Sequence, residues 1–262
     1  MKVSALILAA GMGTRLEKLT QKTPKAMVPM FGKPLIKYQI DTLLSVGITE
    51  IGIATGYCSE KIEEIGYPTF FNKDFKKTNM VESLFSSLDF FSDCNNDLLI
   101  SYGDIVYQKN NLKAVLNSND DISLMIDKKW QRLWSVRNED PLEDAETLKL
   151  DDEGFIIELG KKPNDISSIQ GQYTGLIYIK NHVINDLINF YNSMDRYELY
   201  DGRVFKKMFM TSFLQSLIDS KWKIKATMVE NGWLEVDTVK DLEIYSKLQK
   251  KGELINLWDM NN

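Results

Sequence analysis

The 262-residue sequence contains a single histidine, His182, and only two cysteines, Cys58 and Cys94. One histidine nearly excludes a zinc site and a Ser–His–Asp triad. The two cysteines lie far apart with no metal-ligand spacing, so a disulfide scaffold does not fit, and reduced thiols in a cytoplasm are the simplest reading. No stretch reaches the about 18 to 20 apolar residues of a membrane span. The apolar run VSALILAAG is too short for a signal sequence and lacks a cleavage context. The expectation is a cytoplasmic protein with no membrane partner. Positive charge is also in deficit, 32 Lys and Arg against 37 Asp and Glu for a net −5, so no global basic field attracts nucleic acid. A polyanionic small substrate then needs local positive charge or a metal ion.

Hydrophobic residues make up 44% of the chain, enough for a sizeable core, so disorder is not expected. Residues 3–9 form a continuous apolar run before a glycine, the pattern of a parallel strand buried on both faces. A helix pattern follows, with Leu35, Ile36, Ile40, Leu43 and Leu44 at helical spacing and Gly47 at its C-terminal end. Strands are predicted at 50–56, 68–72, 97–107 and 122–129, with an amphipathic helix over 80–91. This alternation indicates a parallel-rich α/β sheet. From about residue 130 the texture changes. A hairpin around Asp152–Gly154, a strand at 171–180, helices at 183–195 and about 203–220, a strand at KIKATMVE and a strand-to-helix passage from WLEVD complete the reading. No linker interrupts the chain. It is expected to be one domain, with a first half (1–128), a second half (129–237) and a C-terminal helix (238–262).

The stretch LILAAGMGTRLEKLTQKTPKAMVP allows three readings. A dinucleotide fingerprint needs G-x-G-x-x-G, but Leu16 stands at the third glycine position and Thr55-Gly56 where an acidic residue is required. A P-loop needs G-x-x-x-x-G-K-[ST], which does not occur. The third reading is another kind of triphosphate cradle. A glycine turn at the end of a first strand lets backbone N–H groups approach phosphates. Arg15 and Lys25 can then meet the same anion, the one as a fork and the other as a point charge. Asp104 and Asp237 each end a strand, and each alone also reads as a turn or capping residue.

The segment WQRLWSVRNEDPLEDAETLK mixes Trp130, Arg132, Trp134 and Arg137 with five acids. It suits a pocket for a small zwitterion, with Glu143, Asp144 or Glu146 beside an ammonium and Arg132 or Arg137 on a phosphate or carboxylate. It reads equally as a solvated charged loop. Met208, Phe209, Met210 and Phe213 read as core or as a subunit contact, so a homodimer stays open. His182 reads as a surface residue.

The opening stretch resembles the L-A-A-G-x-G-[ST]-R-[LM]…P-K…KPL signature of the nucleotidyltransferases that activate sugar phosphates and phosphocholine. TNMVESLF, ISYGDIVY, LGKKP and WLEVDTVKDLE resemble further elements of the phosphocholine-cytidylyltransferase-like branch, so the likeness covers nearly the whole chain. It departs modestly at Gly103, before Asp104, and at Lys161, where an acid often stands. The resemblance implies a three-layer, Rossmann-like, mostly parallel mixed sheet with a small acceptor-side β elaboration. It implies transfer from CTP to a small phosphorylated acceptor, ordered L-glutamine phosphate, phosphocholine, then a sugar 1-phosphate, in capsule or surface-polysaccharide modification. It implies Mg²⁺ held by Asp104 and Asp237, and catalytic roles for Arg15 and Lys25. The nucleotide side would use Leu8, Ala9, Ala10, Gly11, Gly13, Thr14, Gly56, Tyr57, Asn79, Ser83 and Asp104. The acceptor side would use Trp130, Arg132, Glu143, Asp144, Lys161, Lys162 and Tyr173. A nicotinamide-dependent oxidoreductase and a non-catalytic nucleotide-binding module are the readings from other classes.

Overall fold

Val3–Leu8 (β1) is the strand around which the rest is ordered. Its side chains alternate between two cores: Ala5 and Ile7 enter one, Leu6 and Leu8 the other. A strand buried on both faces needs cover on both, which helices provide. The computed structural model describes residues 2–93 and 95–260. Cys58 is half-buried, and Cys94 lies outside the described residues.

The other strands are Glu50–Thr55 (β2), Thr69–Phe71 (β3), Asp97–Tyr102 (β4), Ile105–Tyr107 (β5), Ile122–Asp127 (β6), Leu148–Leu150 (β7), Ile156–Leu159 (β8), Gln172–Ile179 (β9), Ile224–Val229 (β10) and Trp233–Glu235 (β11). Six of them form one seven-stranded sheet with β1, in the order β10-β6-β9-β4-β1-β2-β3. Neighbours are parallel except β9, which runs antiparallel to both β4 and β6. The helices are Leu35–Ser45 (α1), Ser59–Glu63 (α2), Met80–Phe85 (α3), Leu88–Phe91 (α4), Lys109–Leu116 (α5), Gln131–Arg137 (α6), Ile184–Ser193 (α7), Met210–Asp219 (α8) and Val239–Lys251 (α9). One core takes Leu35, Leu112, Leu133 and Tyr245 from α1, α5, α6 and α9; the other takes Val81, Leu187 and Phe213 from α3, α7 and α8. The result is the expected three layers, with β7 and β8 as the small hairpin beside them.

Four expectations are corrected. The strand read as 97–107 breaks at Gly103–Asp104, and β5 leaves the sheet to pair antiparallel with β11. Gly103 lies so close on β1 that a Cβ would meet the Leu8 carbonyl oxygen at 2.7 Å, so the chain must turn there. The helix over 80–91 divides at Ser86–Ser87, where the Ser87 hydroxyl donates to the Ser83 carbonyl and competes with the helical ladder. The helix read as 203–220 begins only at Met210. Before it, residues 199–204 form a two-stranded hairpin whose turn, Asp201 and Gly202, has φ of 48° and 75°, the left-handed pair that tight hairpins require. Finally, the charged loop after residue 130 contains α6.

Candidate active site

The glycine loop after β1 lies directly on Lys25. Gly13 has φ +62°, and a Cβ there would meet Lys25 Cβ at 2.8 Å. Glycine thus permits both the left-handed turn and the contact. The Lys25 ammonium donates to Asp104 Oδ2 and Asp237 Oδ1, each at 2.7 Å. Arg15 Nη1 approaches Asp237 Oδ2 at 2.5 Å from the solvent side. Burial by itself lowers the pKa of Lys25, but Asp104 and then Asp237 outweigh it and hold the ammonium above the ordinary lysine value. Four residues spread over 222 positions of sequence therefore meet at one point.

Both aspartates are held from behind. Gln39 of α1 is fully buried, and its amide donates to the Tyr102 and Ile105 carbonyls at 2.9 and 2.8 Å while its Oε1 accepts from Ser101. It thereby ties down the carbonyls that the strand break frees on both sides of Asp104. The Asp104 carbonyl in turn accepts from the Val236 N–H, which joins the two aspartate turns. Asp241 accepts from the N–H groups of Asp237 and Thr238, and with Thr238 it forms the capping box of α9. Arg137, buried on α6, donates to Asp241 at 3.0 Å and to Glu235 at 2.6 Å.

Asp104 Oδ1 is buried and has no hydrogen-bond partner, so one carboxylate oxygen of the pair is left to coordinate. Among the described residues no group of three or more His, Cys, Asp or Glu is arranged to hold a metal. Two carboxylates with an orphaned oxygen fit a cation that completes its shell from phosphate oxygens and water, which is the habit of Mg²⁺.

One cleft ends at this point and a second adjoins it. The first is lined by Leu8, Ala9, Ala10 and Gly11 on one side and by Phe75, Thr78, Asn79 and Ser83 on the other, with Lys25 and Asp104 at its end. Asn79 caps α3 by accepting from the Met80 N–H, and Ser83 accepts from the buried Asn72 amide. Gly56 and Tyr57 stand behind the loop rather than in the cleft. The Tyr57 N–H donates to the Ala10 carbonyl and its hydroxyl to the Gln21 carbonyl, so they brace the cradle. Thr14 begins a 3₁₀ turn beside Arg15. Phe75 and Thr78 were missed by sequence reading, although an aromatic just past a strand end was the available signal.

The second cleft shares Asn79 and Met80 with the first. Its polar wall carries Asp144, Glu146, Gln172 and Glu235, and its aromatic wall Tyr102, Trp134, Tyr173, Phe209 and Trp233. Gln172 fixes the Glu146 backbone by accepting from its N–H and donating to its carbonyl. Glu146 opens to the cleft yet is crowded by protein. Burial, then Glu235, Asp144 and Asp201, push its carboxyl up to about 7. The Trp134 indole N–H is buried without a partner.

Of the acceptor-side expectations, the structure brings Asp144 and Tyr173 to this cleft, and Glu146 and Trp134 with them. The others lie elsewhere. Trp130 is 2% exposed and packs edge-on against Trp134 in the core, because α6 turns that face inward. Arg132 reaches toward Asn231 Oδ1 at 3.5 Å. Lys161 pairs with Glu158. Lys162 donates to the Leu142 and Glu143 carbonyls, which holds the Glu143 loop by its backbone. Arg137, read as a substrate contact, is occupied by Glu235 and Asp241. Met208, Met210 and Phe213 are core, and His182 is exposed beside Asp121.

A nucleotidyl transferase family profile matches residues 4–251. The chain belongs to that family. It is 42% identical over 250 residues to the CTP:phosphoglutamine cytidylyltransferase of Campylobacter jejuni, covering 92% of this chain and 98% of that one. It is 44% identical over 87 residues to the choline-phosphate cytidylyltransferase of Streptococcus pneumoniae, 32% of this chain and 38% of that one. In structure it resembles the CTP:phosphocholine cytidylyltransferase of Streptococcus pneumoniae, with a TM-score of 0.69 at 22% identity over 96% of this chain and 99% of the other. That likeness concerns the fold of this nucleotidyl transferase. Among its described residues no helix is long and apolar enough to cross a membrane.

Proposed function

We propose that this nucleotidyl transferase moves CMP from CTP to a small phosphorylated acceptor, L-glutamine phosphate first, and releases pyrophosphate. The observation that carries the reading is the meeting of Lys25, Arg15, Asp104 and Asp237 at the end of the first cleft, beside a second that is lined by the neighbours Tyr102, Ile105 and Glu235. The full-length likeness to a phosphoglutamine enzyme supports the choice of acceptor.

An oxygen of the acceptor phosphate attacks the α-phosphorus of CTP, a new P–O bond forms, and the bond to the β-phosphate breaks so that pyrophosphate leaves. The attacking phosphate is already ionised, so no strong general base is needed. Lys25 and Arg15 supply fixed positive charge where negative charge gathers, and the two clefts set the partners in line. Asp104 and Asp237 would hold Mg²⁺, which when bound neutralises phosphate oxygens. The backbone of Leu8–Gly11, with Gly13 beneath it, seats the nucleotide, Asn79 and Ser83 face it, and Asp144 and Glu146 receive a cationic end of the acceptor.

Pyrophosphate release, measured with each of the four NTPs against L-glutamine phosphate, phosphocholine and a sugar 1-phosphate, tests this. CTP with L-glutamine phosphate is expected to be fastest, and Asp104→Ala to abolish turnover while the fold survives. A chain that turns over no acceptor with CTP is not a cytidylyltransferase.

A further inference from the structure

The acceptor cleft has an acidic wall, Asp144 and Glu146, but the cations that sequence reading placed opposite it are engaged elsewhere. Arg132, Arg137, Lys161 and Lys162 each face another partner. A different cation borders the cleft through Phe209. Arg203, on the hairpin 199–204, lays its guanidinium over the ring of Phe209 with 4.3 Å to the centroid, and Phe209 lines the cleft. Arg203 is exposed, and among the described residues no acidic partner is paired with it. The same hairpin turn brings Asp201 close enough to act electrostatically on Glu146. The hairpin is fixed to the site on its other side, since the Lys206 carbonyl, two residues beyond it, accepts from the Asn79 N–H, and Asn79 lines both clefts.

We infer that Arg203 is a specificity-determining residue that binds a carboxylate on the acceptor, so that the acceptor's far end is an α-amino acid rather than a quaternary ammonium. Stacking on Phe209 limits the guanidinium to one plane, which prepares its fork for a bidentate carboxylate. Asp144 and Glu146, which line the cleft, take the ammonium. Both signs of charge at one cleft match a zwitterion held at both ends, while the phosphate points back to Lys25. A choline head offers nothing to Arg203. This assignment rests on the cytidylyl-transfer reading above.

The test compares wild type with Arg203→Met, in which methionine keeps apolar cover on Phe209 and removes the charge. CTP is supplied with L-glutamine phosphate, with its counterpart lacking the carboxyl group, or with phosphocholine. Wild type is expected to prefer the carboxylate-bearing acceptor in kcat/KM by about tenfold to a hundredfold, the scale of one charged hydrogen-bonded contact. Arg203→Met should lose that factor, through KM, for L-glutamine phosphate alone. The KM for CTP, the rate with the carboxyl-free analogue and the melting temperature should not move, and Arg203→Lys should keep part of the preference. Equal loss on all acceptors, no loss on L-glutamine phosphate, or a wild-type preference for phosphocholine overturns the role of Arg203. Failure of CTP to react with any of the three overturns the cytidylyl-transfer reading instead.

Discussion

Two side chains can be tested singly. Lys25 is the counter-charge between two buried carboxylates, and removing one member of such a set costs more than the set's net worth. Lys25→Met should therefore lower unfolding free energy by about 2–4 kcal/mol in metal-free buffer, read by urea titration; a loss well under 1 kcal/mol would show that the aspartates are not held by Lys25. Glu146 titrates in the other direction. Its carboxyl is raised from an ordinary 4.5 to about 7, so the folded chain holds this proton more tightly than the unfolded chain does. The stability it contributes is complete below pH 4.5 and is lost as pH rises through about 7. Function has the opposite need, because an ammonium binds the ionised form. The acceptor's KM should fall as pH rises through about 7, and Glu146→Gln should flatten that profile while gaining stability above it. A profile of equal steepness in the variant would remove Glu146 from the acceptor site.

The strand break between β4 and β5 shows what sequence could and could not tell at the level of elements. The apolar run through 97–107 has the pattern of one continuous strand; Gly103–Asp104 signals an acidic turn, but the departure of β5 from the sheet there is visible only in tertiary structure, where Gly103 lies close on Leu8 of β1. The carbonyls on both sides of the break need donors, and Gln39, read only as a position on an amphipathic helix, supplies them from α1. Gln39→Leu should cost about 2–4 kcal/mol, because it leaves buried carbonyls unpaired. It should also weaken Mn²⁺ binding, followed by electron paramagnetic resonance as a stand-in for Mg²⁺. Unchanged stability would mean that water or another side chain takes over the clamp. The glycine loop and its lysine were legible because their chemistry is local: a strand, a turn, an arginine and a lysine within 25 residues. α6 was not, since its helical face shows only once Trp130 and Leu133 have a core to enter.

Across the molecule, the parallel-rich sheet and the burial of β1 on both faces followed from alternation and apolar runs, whereas the strand order and the acceptor cleft did not. Its walls come from Tyr102, Trp134, Glu146, Tyr173, Phe209 and Glu235, six segments that only tertiary structure assembles; the sequence reached Trp134, Asp144, Glu146 and Tyr173, but not Tyr102 or Glu235, and it took Phe209 for core or a subunit contact. The two halves of the single expected domain share one sheet. β9, from the second half, hydrogen-bonds to β4 on one edge and to β6 on the other, so it lies between two strands of the first. A fragment of residues 1–128 should accordingly fail to give a monomer by size exclusion, because Leu98–Ser101 would present an open strand edge; a soluble, monomeric fragment with a cooperative melt would contradict this. The same arrangement bears on how the protein is made. β4 leaves the ribosome about 70 residues before the strand that closes it. At about 5–20 residues per second, the nascent chain carries a sticky apolar border for several seconds, and the speed of translation through residues 103–179 becomes a determinant of yield.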